Sequence, residues 1–155
     1  MQDGPRMMLF VCTGNICRSP MAEYLFRLRM PENSGWRSAS AGTAAYPGEP
    51  ASPAAVHVMR ELGMDLTPHR SQPVDAALVR EADCIVCMAA HHKDALVRCF
   101  AEARGKTYLL HEFGTNPAPR DVPDPIGATA AVYRRIRDEI DGAMADLILQ
   151  TREMK

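Results

Sequence analysis

Five apolar residues in a row, Met7–Val11, run directly into Cys12-Thr13-Gly14-Asn15-Ile16-Cys17-Arg18-Ser19-Pro20. That junction constrains the fold more than any other stretch of the chain. A short apolar run bounded by a Gly/Asn loop reads as a strand buried on both faces, as in parallel sheets covered by helices. Ser19-Pro20 then signals a helix start, with Ser as the N-cap and Pro in the first helical position, where its missing N–H is no loss. Leu25 and Leu28 continue the apolar side of that helix, and Pro31 ends it.

The rest of the chain repeats the alternation. Trp36–Ala41 reads as a second strand, and Gly42–Pro50 as a loop containing Tyr46. Ser52-Pro53 opens another helix, with Val56, Met59 and Leu62 facing inward and Gly63 stopping it. Asp75–Glu81 is a short helix before a Cys84–Met88 strand. A helix through Leu96, Val97 and Phe100 ends at Gly105, and Lys106–Leu110 supplies a fourth strand. After a long loop, 114–127, the residues Val132, Ile136, Ile140, Ala143 and Leu147 fall on one side of a final helix. Strands alternating with helices imply an α/β fold, a parallel sheet with helices on both faces. Residues 7–155 form one domain behind a tail, 1–6, expected to fray.

The chain has 155 residues, 46% of them hydrophobic, and a net charge of -1. Its length suits a single core, and its charge gives no footprint for nucleic acid or an anionic membrane. Arg134, Arg135 and Arg137 are followed at once by Asp138, Glu139 and Asp141, which predicts a solvated helix face. Five cysteines without a secreted spacing pattern place the chain in a reducing cytoplasm. Met7–Cys12 is too short for a membrane span or a leader. Cys84 and Cys87 form a C-x-x-C, but three residues apart on a strand they point to opposite faces and cannot share a metal.

The chemistry is concentrated between Cys12 and Ser19, at the carboxyl end of the first strand, where open α/β sheets place ligands. A loop entering a helix aims backbone N–H groups inward, and the helix dipole adds positive charge. Gly14 and Asn15 tolerate the left-handed turns such an anion nest needs. Arg18 adds a planar fork for two phosphate oxygens. The same field favours thiolate over thiol at Cys12, making it a nucleophile at the base of a phosphate cradle. Ser19 can donate to that sulfur. Transfer of a phosphoryl group also needs a proton donor, and Asp121 and Asp124 are both candidates. Asp124, flanked by Pro123 and Pro125, has the better-fixed backbone.

Val11-Cys12-Thr13-Gly14-Asn15-Ile16-Cys17-Arg18-Ser19-Pro20-Met21-Ala22-Glu23, with Ser40-Ala41-Gly42-Thr43 and Asp124-Pro125, resembles the low-molecular-weight protein tyrosine phosphatase family over nearly the whole chain. The resemblance implies a four-stranded parallel sheet with no metal and no cofactor. It implies Cys12 as nucleophile, Arg18 as phosphate clamp and Asp124 as general acid. The remaining loop residues, Thr13, Gly14, Asn15, Ile16, Cys17 and Ser19, would surround the substrate. Asn15 would hold the loop through a network with Ser40 and His69, though His69 also reads as an ordinary loop histidine. Cys17 would either form a reversible disulfide with Cys12 or pack beneath the loop. Phosphorylated proteins are the expected partners, acted on by a monomer or weak dimer.

In that family an aromatic residue after the second strand and another after Asp-Pro often line the slot for a phosphotyrosine ring. Tyr46 fits the first position, whereas the second is Ile126. A bacterial subgroup acts instead on phosphoarginine. It shares features with this chain: Thr13, the Met88-Ala89-Ala90-His91-His92-Lys93 stretch and the Asp-Pro ending. That subgroup typically carries Thr at position 16, where this chain has Ile16, whose apolar surface suits a phenyl ring. Phosphotyrosine is therefore the expected substrate and phosphoarginine the alternative. An arsenate reductase would need cysteines that relay a disulfide outward, for which Cys84, Cys87 and Cys99 are badly placed.

Overall fold

Four parallel strands, β1 (Arg6–Cys12), β2 (Trp36–Gly42), β3 (Cys84–Cys87) and β4 (Thr107–Leu109), lie side by side in the order β2-β1-β3-β4 in the computed structural model. The structure describes residues 4–113 and 120–154. Residues 1–3 of the expected tail and 114–119 of the long loop lie outside the described residues, and β1 already begins at Arg6. Among the described residues five α-helices connect and follow the strands, two of them between β2 and β3: α1 (Arg18–Arg29), α2 (Pro53–Arg60), α3 (Ala76–Glu81), α4 (Ala90–Cys99) and α5 (Ala130–Thr151).

The strand period of two sorts β1 into two cores. Met8, Phe10 and Cys12 face a cluster built with α1, α2 and α5, while Met7, Leu9 and Val11 face one built with α3 and α4. Both sets are buried, which is why β1 reads as an unbroken apolar run. Cys84 and Cys87 divide the same way, one in each cluster, so their thiols lie on opposite faces of the sheet. Burial pushes the Cys84 thiol up to about 12 and raises that of Cys87 as well. β1 lies between β2 and β3, and the chain leaves its two sides in opposite directions. The β1–α1 loop therefore opens at a switch point of the sheet.

Several local expectations shift when packing is added. α1 starts at Arg18 with Cys17 at the N-cap, so Ser19-Pro20 lie inside the first turn; the Ser19 hydroxyl is engaged elsewhere, as described below. Leu28 is 37% exposed, whereas Met21, Ala22, Leu25 and Phe26 are buried. In α2 the buried residues are Ala55, Val58 and Met59, with Val56 and Leu62 only partly buried. Gly63, at φ +78, ends the turn that follows α2. α4 stops at Cys99, and a 3-10 turn over Ala101–Ala103 carries the chain on to Gly105.

The basic cluster of α5 is only partly a solvated face: Arg135 is exposed, but Arg137 is not. Arg137 is buried, and its guanidinium donates to the Val58 carbonyl at 2.8 Å and to Glu61 at 2.7 Å. Arg134 grips the same Glu61 carboxylate with two N–H donors, at 2.8 and 2.6 Å. The two arginines hold Glu61 down to about 2, chiefly through those hydrogen bonds. They staple α5 to the end of α2.

The tightest approach in the sheet lies at Gly42, opposite Cys12 in the β1–β2 register. Thr43 N–H donates to the Cys12 carbonyl and Ala44 N–H to the Thr13 carbonyl, both at 2.9 Å, so the end of β2 runs flush against the loop. A Cβ at position 42 would sit 2.3 Å from the Thr13 carbonyl oxygen and 3.1 Å from the Asn15 nitrogen, both backbone atoms with little room to yield. Gly42→Ala is expected to lower stability by about 1–3 kcal/mol, the usual cost of overpacking. Urea unfolding checks this, and an unchanged midpoint would contradict it.

Candidate active site

Cys12 ends β1 with its sulfur buried, and the backbone from Thr13 to Cys17 loops over it into the N-terminus of α1. Ser19, in the first turn of that helix, meets the sulfur twice: its hydroxyl lies 2.9 Å away, and its N–H donates at 3.4 Å. This explains why Ser19 does not act as a cap. Its side chain is turned down onto Cys12 instead of back along the helix end.

Asn15 gives the loop its shape. It is fully buried, and its backbone takes the left-handed conformation at φ 58. Gly14, expected to share that role, does not adopt positive φ. The Asn15 amide donates to the Ser19 hydroxyl at 2.8 Å and to the Ser40 hydroxyl at 2.9 Å, and accepts the Gln72 N–H at 2.9 Å. Its carbonyl meets His69 Nε2 at 2.7 Å. The Ser40 hydroxyl in turn donates a hydrogen bond to the Glu23 carboxylate at 2.6 Å. Ser40 and His69 are thus both buried in contact with Asn15. Gln72 and Glu23 complete the network, and sequence reasoning had not assigned either of them a place in it.

Above the sulfur lies a cavity of about 220 Å³, lined by Cys12, Thr13, Gly14, Ile16, Cys17 and Arg18 from the loop and by Asp124 and Ile126 from across the mouth. Arg18 is buried and anchored by donation to the Val122 carbonyl at 2.9 Å, with its other terminal nitrogen 3.6 Å from the Asp124 carboxylate. Asp124 is held by the Ile126 N–H at 3.1 Å. Ile126 is 57% exposed at the rim. Tyr46 is 79% exposed and is not among the lining residues.

The two candidate acids separate. Asp121 accepts the Ala90 N–H at 2.8 Å and so caps α4, whose own N-cap residue, Ala89, has no side-chain acceptor. Asp124 faces the cavity. Glu112, just before the long loop, is engaged with Lys93 at 3.1 Å. Cys17 points away into the core, in contact with the Tyr133 hydroxyl at 3.2 Å and donating to Ser52 at 3.4 Å. Burial raises its thiol, and it raises the Tyr133 phenol to about 12.

One contact was hidden in the sequence. His92 of α4 is fully buried, and its Nε2 lies 2.8 Å from the Thr13 hydroxyl. Its Nδ1 is the one buried side-chain polar atom without a partner among the described residues. The two residues meet only because β1 and β3 are neighbours, which puts the loop after one beside the helix after the other.

A family model described as low molecular weight phosphotyrosine protein phosphatase matches residues 7–155. The chain is 36% identical over 147 residues to the protein-arginine-phosphatase of Bacillus subtilis, covering 94% of this chain and 97% of that one. It is 38% identical over 134 residues to the low molecular weight protein-tyrosine-phosphatase Wzb of Salmonella typhimurium, covering 86% and 81%. It superposes on the YwlE arginine phosphatase from Geobacillus stearothermophilus with a TM-score of 0.88 at 36% identity, covering 96% of this chain and 94% of that one.

Burial pushes the His92 imidazole down from 6.5 to about 3, and neighbouring His91 and Arg18 add to the effect. Below the ordinary histidine range the unfolded chain therefore takes up a proton that the folded chain refuses. His92 contributes stability that is full above 6.5 and declines as pH falls from there towards 3. His92→Gln is expected to flatten this part of the stability–pH curve, read from urea midpoints between neutral pH and about 5. Parallel curves for parent and variant would contradict it.

Proposed function

The chain belongs to the low molecular weight phosphotyrosine protein phosphatase family, and on that premise we propose that it hydrolyses phosphotyrosine on proteins through a phosphocysteine formed on Cys12. The observation that carries this reading is the single small cavity in which Cys12, Arg18 and Asp124 converge with Ile16 and Ile126.

In the proposed reaction the loop amides and Arg18 hold the phosphoryl oxygens. The Cys12 sulfur attacks phosphorus, and the bond from phosphorus to the tyrosine oxygen breaks. Asp124 gives its proton to the departing oxygen, so that phenol rather than phenolate leaves. Water then attacks the phosphocysteine, Asp124 takes its proton, and the sulfur departs with the Ser19 hydroxyl donating to it. Asp124 fits the acid role because it lines the cavity, while Asp121 is occupied at the end of α4. The surroundings of Cys12 suit an anion: the Ser19 N–H donates to the sulfur, the Ser19 hydroxyl lies within reach of it, and the sulfur sits at the α1 N-terminus in the cavity that Arg18 also lines.

The apolar wall of Ile16 and Ile126 supports an aryl leaving group. A planar ring loses little on leaving water for such a slot, whereas a guanidinium would lose hydrogen bonds that isoleucine cannot replace. Tyr46, fully outside the lining, would meet only the protein around the phosphorylated residue. Phosphoarginine remains the second reading. It is favoured by the name of the Bacillus subtilis relative and by the Thr13–His92 pair, which holds the hydroxyl of a cavity-lining residue. Arsenate reduction fits less well, since Cys84 and Cys87 are buried on opposite faces of the sheet. Free thiols at all five cysteines suit a reducing, cytoplasmic setting, with phosphorylated proteins as the partners.

Steady-state rates on phosphotyrosine and phosphoarginine peptides test the substrate. The parent is expected to favour phosphotyrosine in kcat/KM, and Ile16→Thr to shift the ratio towards phosphoarginine by about tenfold, the value of one hydrogen bond to a charged group. A parent that prefers phosphoarginine would overturn the reading.

A further inference from the structure

We propose that His92 is a positioning residue for the phosphatase reaction, fixing the Thr13 hydroxyl with its proton turned into the cavity as one more donor to the phosphoryl group held over Cys12. The inference rests on the reading of Cys12 as the nucleophile. It adds a component that neither the loop motif nor the family match assigns.

Hydrogen-bond polarity decides which way the Thr13 proton points. Thr13 follows Cys12 and lines the same cavity, and the partner of its hydroxyl is His92 Nε2 at 2.8 Å. A neutral imidazole has one N–H and one bare nitrogen. If the proton sat on Nδ1, that buried N–H would have no acceptor among the described residues, and Thr13 would have to give its only proton to Nε2. The cavity would then face the bare lone pairs of Thr13, which repel a phosphate dianion. If the proton sits on Nε2, the imidazole donates to Thr13 Oγ1 and the buried Nδ1 is only an unused acceptor. The Thr13 proton is then free to point at the dianion. Anion binding therefore selects the second arrangement.

Burial keeps the ring neutral, so the arrangement does not change across the working pH range. The charged and titratable groups around the pair come from several elements: His91 on α4, Arg18 on α1, and Asp121 and Asp124 on the late loop. None of them is in hydrogen-bond contact with Nδ1. His92 touches the wall of the site and not the reacting atoms, so it acts through Thr13.

The test compares kcat on an aryl phosphate with inhibition by vanadate and by inorganic phosphate. Vanadate mimics the five-coordinate transition state, phosphate the ground state. Thr13→Val and His92→Leu are each expected to lower kcat about tenfold and to weaken vanadate more than phosphate. The double variant should be no worse than either single one. His92→Gln, which presents an amide N–H at similar reach, should recover most of the rate. Should His92→Leu fail to fold, Thr13→Ser against Thr13→Val decides, since Ser alone keeps the hydroxyl and with it the rate. The inference is overturned by equal weakening of vanadate and phosphate, by additive losses in the double variant, or by a Thr13→Ser variant as slow as Thr13→Val. Failure of the Cys12 reading is seen separately, as turnover surviving in Cys12→Ser.

Discussion

The left-handed turn at Asn15 is where the loop over Cys12 either closes or fails to. A non-glycine residue at φ 58 pays a conformational penalty, and here it is offset by a side chain whose every polar group is engaged. The amide donates to Ser19 and Ser40 and accepts from Gln72, while the backbone carbonyl is held by His69. Leaving any one of these buried groups unpaired would cost about 1–3 kcal/mol, so the network holds the backbone in a shape it would not otherwise keep. The same contacts set Ser19 over the sulfur. Loop shape and the setting of the thiol thus come from one set of hydrogen bonds.

The sheet makes this possible from beneath. Alternation along β1 sends Cys12 to the side of α1 and α5 and Val11 to the side of α3 and α4. The sulfur therefore emerges at the strand end on the face where α1 begins. Gly42, with no Cβ, lets β2 close against the loop from the other side. The late loop then delivers Asp124 over the top, steadied by Asp121 at the start of α4 and by the Val122 N–H, which donates to the Met88 carbonyl at 2.7 Å. Three separate parts of the chain converge on one cavity because β1 lies centrally in the sheet.

Much of this was legible in the sequence, for a physical reason. The strand, the loop and the helix start are local, and each is signalled by residues with strong local preferences: the apolar run Met7–Val11, Gly and Asn in the loop, and Ser19-Pro20, which placed the helix start to within two residues. Assignments that depend on distant partners failed. Ser19 looked like a cap because Ser-Pro usually is one, but its hydroxyl is claimed by Cys12 and Asn15. Arg137 looked solvated because its neighbours in sequence are charged, and it does pair with Asp138, but its guanidinium also reaches Glu61 and the Val58 carbonyl at the end of α2, which buries it. Gly14 was assigned a turn that Asn15 alone makes. The Thr13–His92 contact left no local signal at all, since strand order alone creates it.

The central claim is that the buried sulfur of Cys12 takes the phosphoryl group. The most direct measurement is rapid acid quench of the enzyme during turnover of an aryl phosphate, followed by intact mass and peptide mapping. The account predicts a transient population carrying one phosphoryl group, localised to Cys12 and stable to the acid that would hydrolyse a phosphohistidine. Turnover at full rate with no labelled enzyme at any time, or with the label on another residue, would contradict it.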